Sequence, residues 1–270
     1  MFELDHIVHY TNNPEKAAST LEKLGVYSNP GGRHEQFGTY NILSYFDNLT
    51  YIELIGSFDK ELVKKSAKEP YTLWNQFDKH HYQDNLERIA LRHNDLNAVS
   101  KRLKQFNLDV YGPYPYSRKT PDGNEIHWEL LYAIDKNSDL TLPFFIDWKR
   151  SNSEREAELK EQGSIKPHKL GDLAIQSVGF AVKDAEAAAN KWAQFFEFET
   201  GENIINDDLN AEGKSLIVEN KSFVFYEPKG EGIAQHYLEE QGEGPFLITI
   251  TGSSEEKTVE INGTLYHFKN

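Results

Sequence analysis

The chain has 270 residues, long enough for about two domains and for a full core without disulfide or metal staples. It is acidic, with 43 Asp+Glu against 29 Lys+Arg and a net charge of −14, and no segment is dominated by basic residues, so nucleic acid and anionic membranes are poor partners. The absence of Cys excludes disulfides, thiolate metal sites and a Cys nucleophile, and 38% hydrophobic with 13% aromatic residues excludes a wholly disordered chain.

In chain order, the first element is the alternating run Phe2–Tyr10. Read as a strand, it puts Phe2, Leu4, His6, Val8 and Tyr10 on one face and Asp5, Ile7 and His9 on the other. Because the run is polar-spaced it does not read as a signal peptide, and no stretch approaches the ~18 apolar residues of a membrane span. A cytoplasmic protein is the expectation. Asn13 and Pro14 then form a helix start, Ala17, Ala18, Leu21 and Leu24 an apolar stripe, and Gly25 the stop. NPGGRHEQFG leads into the strand TYNILSYF, a turn at Asp47-Asn48 and the strand TYIELIGSF. Ser57–Asp84 is polar, with a short helix expected around Glu69–His80.

The same design returns at Leu86–Leu108. Asn94 or Asp95 caps a helix with the stripe Leu96, Val99, Leu103 and Phe106. DVYGPYPYSRK, a turn at Pro121-Asp122-Gly123, EIHWELLYAI and LPFFIDWK follow as strands. Ser151–Gly171 is dense in charge and reads as a surface linker or an exposed helical excursion. A third copy opens at Leu173–Phe198, with Asp184 as cap and Ala188, Trp192 and Phe195 or Phe196 as stripe. It continues with a run near Asn203–Ile205, then KSLIVEN and SFVFYEP. FLITITG and TVEINGTLYHF look like part of a fourth unit without its helix. The expected fold is α+β: tandem βαβββ units in residues 1–150 (about 1–58 and 84–150), a charged linker over 151–171, and a degenerate unit pair in 172–270.

Tandem βαβββ units with openings such as LDHIVHYT resemble the glyoxalase/vicinal-oxygen-chelate superfamily, in which two units form a curved half-barrel that cups a site. Gly31–Ile55, with its GGRH-x-x-x-GT-x-N run and the strand ending Y-x-EL, resembles the glyoxalase-like subfamily, as do the PDG at Pro121–Gly123 and LPFFIDW at Leu142–Trp148. The resemblance covers 1–150 well and 172–270 only in repeat shape. It implies a small-molecule ligand, and a homodimer is a further expectation. Fold likeness does not choose among the lyases, dioxygenases, epimerases and binding proteins of this superfamily.

The resemblance also implies metal ligands on the first and last strand of each unit. Aligning the repeats places these at His6 and Glu53 in the first unit and at Arg88 and Asp147 in the second; His6 falls opposite Ser177 in the third. His6, Glu53 and Asp147 would suit Zn, Mn or Fe(II). Arg88 cannot ligate, and in that position would repel a metal, pair with Asp147, or clamp an oxyanion in the metal's place. Glu53 lies between Ile52 and Leu54, where a carboxylate needs a partner or a raised pKa, and the bland alternative is a salt bridge to Arg33 or Arg88. The two glycines before Arg33 and His34 are expected to allow unusual backbone angles that present both residues to a cleft; a loop His capping a carbonyl is the alternative. Asn41 would orient a substrate carbonyl or satisfy backbone. His127 faces either the cup or solvent, and Trp148 is a wall residue. Glu53, His34, Asn41 and Arg88 are therefore the catalytic candidates, and Arg33, His127 and Trp148 the substrate-binding ones. No nucleotide-binding Gly-rich loop or GxSxG elbow is present. Two readings stay open: a lyase, isomerase or dioxygenase-type enzyme working through a chelated or Arg-stabilised oxyanion, or a non-catalytic protein that sequesters a small molecule.

Overall fold

The computed structural model describes residues 1–119 and 125–270, excepting the side chains of Arg118 and Lys119. The turn expected at Pro121–Gly123 lies outside the described residues. Strand β1 (Glu3–Tyr10), helix α1 (Pro14–Lys23) and strands β2 (Asn29–His34), β3 (Thr39–Tyr45) and β4 (Tyr51–Ser57) form one βαβββ unit. Two short helices, α2 (Lys60–Ser66) and α3 (Leu73–Lys79), separate it from the next: β5 (Asn85–Arg92), α4 (Leu96–Lys104), β6 (Asp109–Lys119), β7 (Glu125–Ile134) and β8 (Phe144–Asp147). Helix α5 (Asn152–Glu161) leads to a third unit of β9 (Gly171–Ala181), α6 (Ala185–Phe196), β10 (Glu199–Asn206), β11 (Ala211–Val218) and β12 (Lys221–Pro228). Helix α7 (Ile233–Gln241) and strands β13 (Gly244–Ser253), β14 (Lys257–Ile261) and β15 (Thr264–Phe268) complete the chain. The first two units share an eight-stranded sheet, β2-β3-β4-β1-β5-β8-β7-β6, and the rest a seven-stranded one, β10-β11-β12-β9-β13-β15-β14. The α+β architecture of tandem βαβββ units is thus as expected.

One capping device starts the long helix of each unit. Asn13 accepts from Lys16 N at 2.8 Å, Asp95 from Ala98 N at 2.9 Å and Asp184 from Ala187 N at 2.8 Å. Each carboxylate or amide oxygen satisfies a donor that the first helical turn leaves free, an interaction worth about 1 kcal/mol. The helices then bury most of the expected stripes against the sheets: Ala17, Ala18 and Leu21; Leu96, Val99 and Leu103; and Trp192, Phe195 and Phe196, with Ala189 fully buried in place of the expected Ala188, which is half-buried.

These stripes meet in a single core between the two sheets, where Phe2, Leu4, Ile7, Ile89, Leu91 and Phe145 pack with Leu173, Val178, Phe180, Phe196 and Ile248. The opposite, concave face of each sheet has its own fate. On the second sheet α7 lays Ala234 and Tyr237 against Val224, Tyr226, Phe246 and Leu247, filling the hollow with the chain's own side chains. On the first sheet, Val8, Tyr10, Ala90, Tyr132, Phe144 and Ile146 pack with Trp74 and Phe77 of α3, and part of the hollow stays open.

Strand β1 departs from the simple alternation. Its pairing with β5 shifts register between Leu4 and His6 and again between Val8 and His9. A bulge moves the following side chains to the other face. Phe2 and Leu4 therefore join Ile7 in the inter-sheet core, and His6, Val8 and Tyr10 alone face the cup. The expectation that all five share one face is corrected by that bulge.

His9 ties the halves together. Its Nδ1 bonds Tyr266 Oη at 2.7 Å and its Nε2 bonds the Asn262 carbonyl at 3.0 Å. Complete burial disfavours the imidazolium and lowers the pKa from 6.5 to about 4, against the pull of the Asn262 carbonyl and Asp84. Between those values the unfolded chain takes up a proton that the folded one refuses. The contribution is intact above the unfolded pKa and is lost as pH falls toward the folded one, by about 3 kcal/mol in all. Urea unfolding near neutrality and near pH 4 should show this fall in the wild type and its disappearance in His9→Gln; an equal fall in the variant would contradict the assignment.

Candidate active site

The open hollow of the first sheet has about 120 Å³ of free space. Its wall is mostly aromatic, with Phe37, Tyr45, Tyr51, Trp74, Tyr116, Trp128, Tyr132, Phe144 and Trp148, and its polar groups are His6, His34, Asn41 and Glu53. A wider vestibule of about 440 Å³ adjoins it and shares Leu43, Tyr45 and Trp148 as walls. The vestibule's far side is α5 with Arg155, Glu158 and Leu159, together with Arg150 and Asn29–Gly31.

The polar groups form one chain of contacts. Asp5, wholly buried beside the β1 bulge, accepts from His6 Nδ1 at 2.7 Å and from Trp148 Nε1 at 2.9 Å. Arg92 Nη1 reaches Oδ2, the oxygen that Trp148 also holds, at 3.4 Å, and Arg155 Nη1 stands 3.8 Å from it. Burial alone would raise the Asp5 pKa, but the His6 hydrogen bond and the charges of Arg155, His6 and Arg92 outweigh it and hold the carboxyl at about 2. An ionised carboxylate only accepts, so in the neutral form of the His6 ring the proton sits on Nδ1 and Nε2 presents its lone pair. Nε2 is directed to Glu53 Oε2 at 3.7 Å. The ring is sandwiched by Tyr51, stacked at 4.6 Å, and by the edge of Phe144 at 5.3 Å. Glu53 is fixed from its other side, where Asn41 Nδ2 donates to Oε1 at 2.5 Å, and Asn41 Oδ1 accepts from Gly32 N at 2.7 Å.

This last bond explains the glycine pair. Neither Gly31 nor Gly32 has a positive φ, contrary to the expected unusual backbone angles. What matters is close approach: a Cβ on Gly31 would sit 2.2 Å from Asn41 Oδ1.

The structure brings His6, His34, Asn41, Glu53 and Trp148 to the cup. His34 reaches Thr39 Oγ1 at 3.0 Å through Nδ1. Four other candidates lie elsewhere. Arg33 is exposed, pairs with Glu35 at 2.9 Å and stacks on Phe58 at 3.7 Å. His127 is 63% exposed and faces Glu125, because Trp128, Leu130 and Tyr132 are the β7 side chains that turn inward. Arg88 is buried behind the wall, giving Nε to the Leu142 carbonyl at 2.6 Å and Nη1 to the Tyr71 carbonyl at 2.9 Å. Burial lowers its pKa to about 10, with Tyr132 opposing. Asp147 points away from the cup, since Phe144, Ile146 and Trp148 take the inward positions, and it binds Lys149 through N at 2.8 Å and Nζ at 2.7 Å. The Arg88–Asp147 pairing, one of the alternatives open from the sequence, is not formed; Arg88 binds carbonyls and Asp147 binds Lys149.

The same placement tests the implied metal. His6 and Glu53 are adjacent, but Asp147 is on the opposite face, and among the described residues no group of three or more His, Cys, Asp or Glu could hold a metal ion. The set His6, Glu53 and Asp147 does not fit a divalent cation, which asks for about three such ligands on one centre. Two site residues had no forecast. Asp5 was assigned to the outward face of β1, and Arg155 sits in the run SNSEREAELKEQG, whose charge density reads as solvated. A faint signal existed in Ser151 and Glu154, the spacing of a capping box, which the structure forms and which starts α5 at the cup's rim.

A family model described as a glyoxalase-like domain matches residues 4–196, which takes in α5 and ends at α6. Among solved structures, a hypothetical protein from Staphylococcus aureus is similar over 100% of both chains, with 25% identity and a TM-score of 0.81. A mutant of 4-hydroxymandelate synthase from Streptomyces coelicolor is similar over 92% of this chain and 70% of its own, with 10% identity and a TM-score of 0.56, a likeness of fold. No curated protein matches. The donor geometry has a direct consequence. Elemental analysis of untagged protein prepared without chelator should find well under one divalent ion per chain, unchanged in Glu53→Gln; a stoichiometric ion lost in the variant would contradict it.

Proposed function

The chain belongs to the glyoxalase-like domain family, within the vicinal-oxygen-chelate fold, and we propose that its first half-barrel is an enzyme site for proton transfer on a small oxygenated molecule with an apolar or aromatic body. The observation that carries this reading is the pairing of two groups that exchange protons, His6 and Glu53, 3.7 Å apart in an otherwise aromatic pocket and each fixed from behind. Asp5 sets the His6 tautomer, and Asn41 fixes one oxygen of Glu53 so that the other faces His6.

A group bound between Nε2 and Oε2 would be in reach of both. One of the two takes a proton from the ligand, and that same proton, kept on it or passed to its partner, is returned to another atom of the ligand, so charge and protons balance across the turnover without a redox partner. This is isomerase- or lyase-type chemistry. The mostly aromatic wall excludes water and holds the apolar body, with His6 and Glu53 turned to the reacting carbon or oxygen. Trp148 serves two ends: its ring walls the pocket, and its Nε1–H helps to keep Asp5 ionised. Asn41 is a positioning residue, acting through Glu53.

The test is exchange of carbon-bound hydrogen. A panel of aromatic and short-chain carbonyl compounds is incubated with protein in D2O and followed by NMR. Wild-type protein should wash deuterium into the position next to the carbonyl of at least one compound. Glu53→Gln should lower that rate by roughly 10²–10⁴-fold, the usual worth of a general acid–base group, while its affinity for the same compound stays within about threefold. Binding without exchange in the wild type, or exchange undiminished in Glu53→Gln, would contradict the proposal and favour a sequestering role.

A further inference from the structure

Arg155 is unlike the other arginines of the molecule's interior. Its side chain is 7% exposed, yet among the described residues no hydrogen bond satisfies its guanidinium, and Nη1 is sealed from solvent without a partner there. By contrast, Arg88 gives two hydrogen bonds to main-chain carbonyls, and Arg92 is held by Glu3, Asp5 and the Asn48 carbonyl. The carboxylates near Arg155 are spent. Asp5 already accepts from His6, Trp148 and Arg92 and stays 3.8 Å from Arg155, beyond hydrogen-bond range. Glu158, one turn along α5, pairs with Arg150. A buried guanidinium with unspent donors is costly unless an acceptor reaches it.

The position of the group says where that acceptor comes from. Arg155 lines the vestibule that adjoins the cup, and its guanidinium carbon lies 4.2 Å over the ring of Trp148, the residue that walls both spaces. That contact sets the guanidinium against the wall the two spaces share. Leu159 of the same helix packs with Leu43, Tyr45 and Tyr51, side chains that also wall the cup.

We propose that Arg155 is the anchor for a carboxylate on the ligand, and that the ligand is an apolar or aromatic carboxylic acid whose head sits on Arg155 in the vestibule and whose body enters the cup toward His6 and Glu53. A planar fork of N–H donors matches a carboxylate bidentately, and an ammonium does not reproduce that match. Glu53 in the cup repels a second anionic group there, so the charge belongs at the vestibule end. Helix α5 thereby becomes part of the site, although it lies outside both βαβββ units. The proposal rests on the cup being the ligand site, as argued above.

The test is binding, measured by isothermal titration at neutral pH and by Trp fluorescence. The probes are phenylacetate, 3-phenylpropionate and 4-phenylbutyrate, each beside its primary amide, which keeps the shape and loses the charge. For the best-fitting length, the wild type should bind the acid about tenfold or more tighter than the amide. Arg155→Met should erase that preference and leave the amide's affinity within about threefold. Arg155→Lys, which keeps the charge should the Met variant fail to fold, should retain only a part of it. Equal binding of acid and amide by the wild type, no binding of any pair, or a preference that survives in Arg155→Met would overturn the proposal. Glu53→Gln separates the two claims, because it should abolish deuterium exchange and keep the preference for the acid.

Discussion

The site depends on one buried charge. Asp5 has no exposed surface, and a carboxylate in that setting would ordinarily give up its charge. It stays ionised because four donors or cations converge on it: His6 from the same strand, Trp148 from beyond β8, Arg92 from the end of β5 and Arg155 from α5. Each comes from a different element, so the carboxylate is where β1, β5, β8 and α5 are locked in register. Loss of one partner from such a buried cluster typically costs about 3–5 kcal/mol, because the remaining charges are left without compensation. The β1 bulge makes the arrangement possible. Without its register shift Asp5 and His6 would point to opposite faces of the sheet, and neighbours in sequence could not bond at 2.7 Å within one site.

The two halves show how one module serves two ends. Both sheets bury their outer faces in a shared core and both turn a concave face the other way. In the second sheet α7 fills the hollow with Ala234 and Tyr237. In the first, the insertion α2–α3 brings Trp74 onto Phe37 at 3.9 Å and closes one end, while α5 walls the other. The open volume between them is what the insertion and the linker leave. The binding of this chain to its family over residues 4–196 includes both of these additions.

Much of this was legible in the residues. The three repeats, their Asx caps and their apolar stripes follow from local rules that tertiary structure had no reason to override. Glu53 between Ile52 and Leu54 announced a carboxylate in need of a partner, and Asn41 supplied it. The misplacements have one physical origin, which is parity. Strand β8 has four residues, Phe144–Asp147, too few for alternation to reveal which set faces in, and aligning repeats chose Asp147, one position past the inward Ile146. The same one-step ambiguity hid the β1 bulge. Arg155 was missed for another reason: a helix whose other residues are mostly Glu, Lys, Asn and Ser carries no apolar stripe, and a single inward arginine leaves no periodic trace.

The most direct test of the central claim is the protonation pattern of the His6 ring, read by nitrogen NMR of histidine-labelled protein on the alkaline side of the ordinary histidine range. If Asp5 organises the site, neutral His6 shows a protonated Nδ1 and a bare Nε2. A proton on Nε2, or two nitrogens averaged between the tautomers, would mean that the carboxylate does not hold the ring and that the proton-transfer pair is not set up in this way.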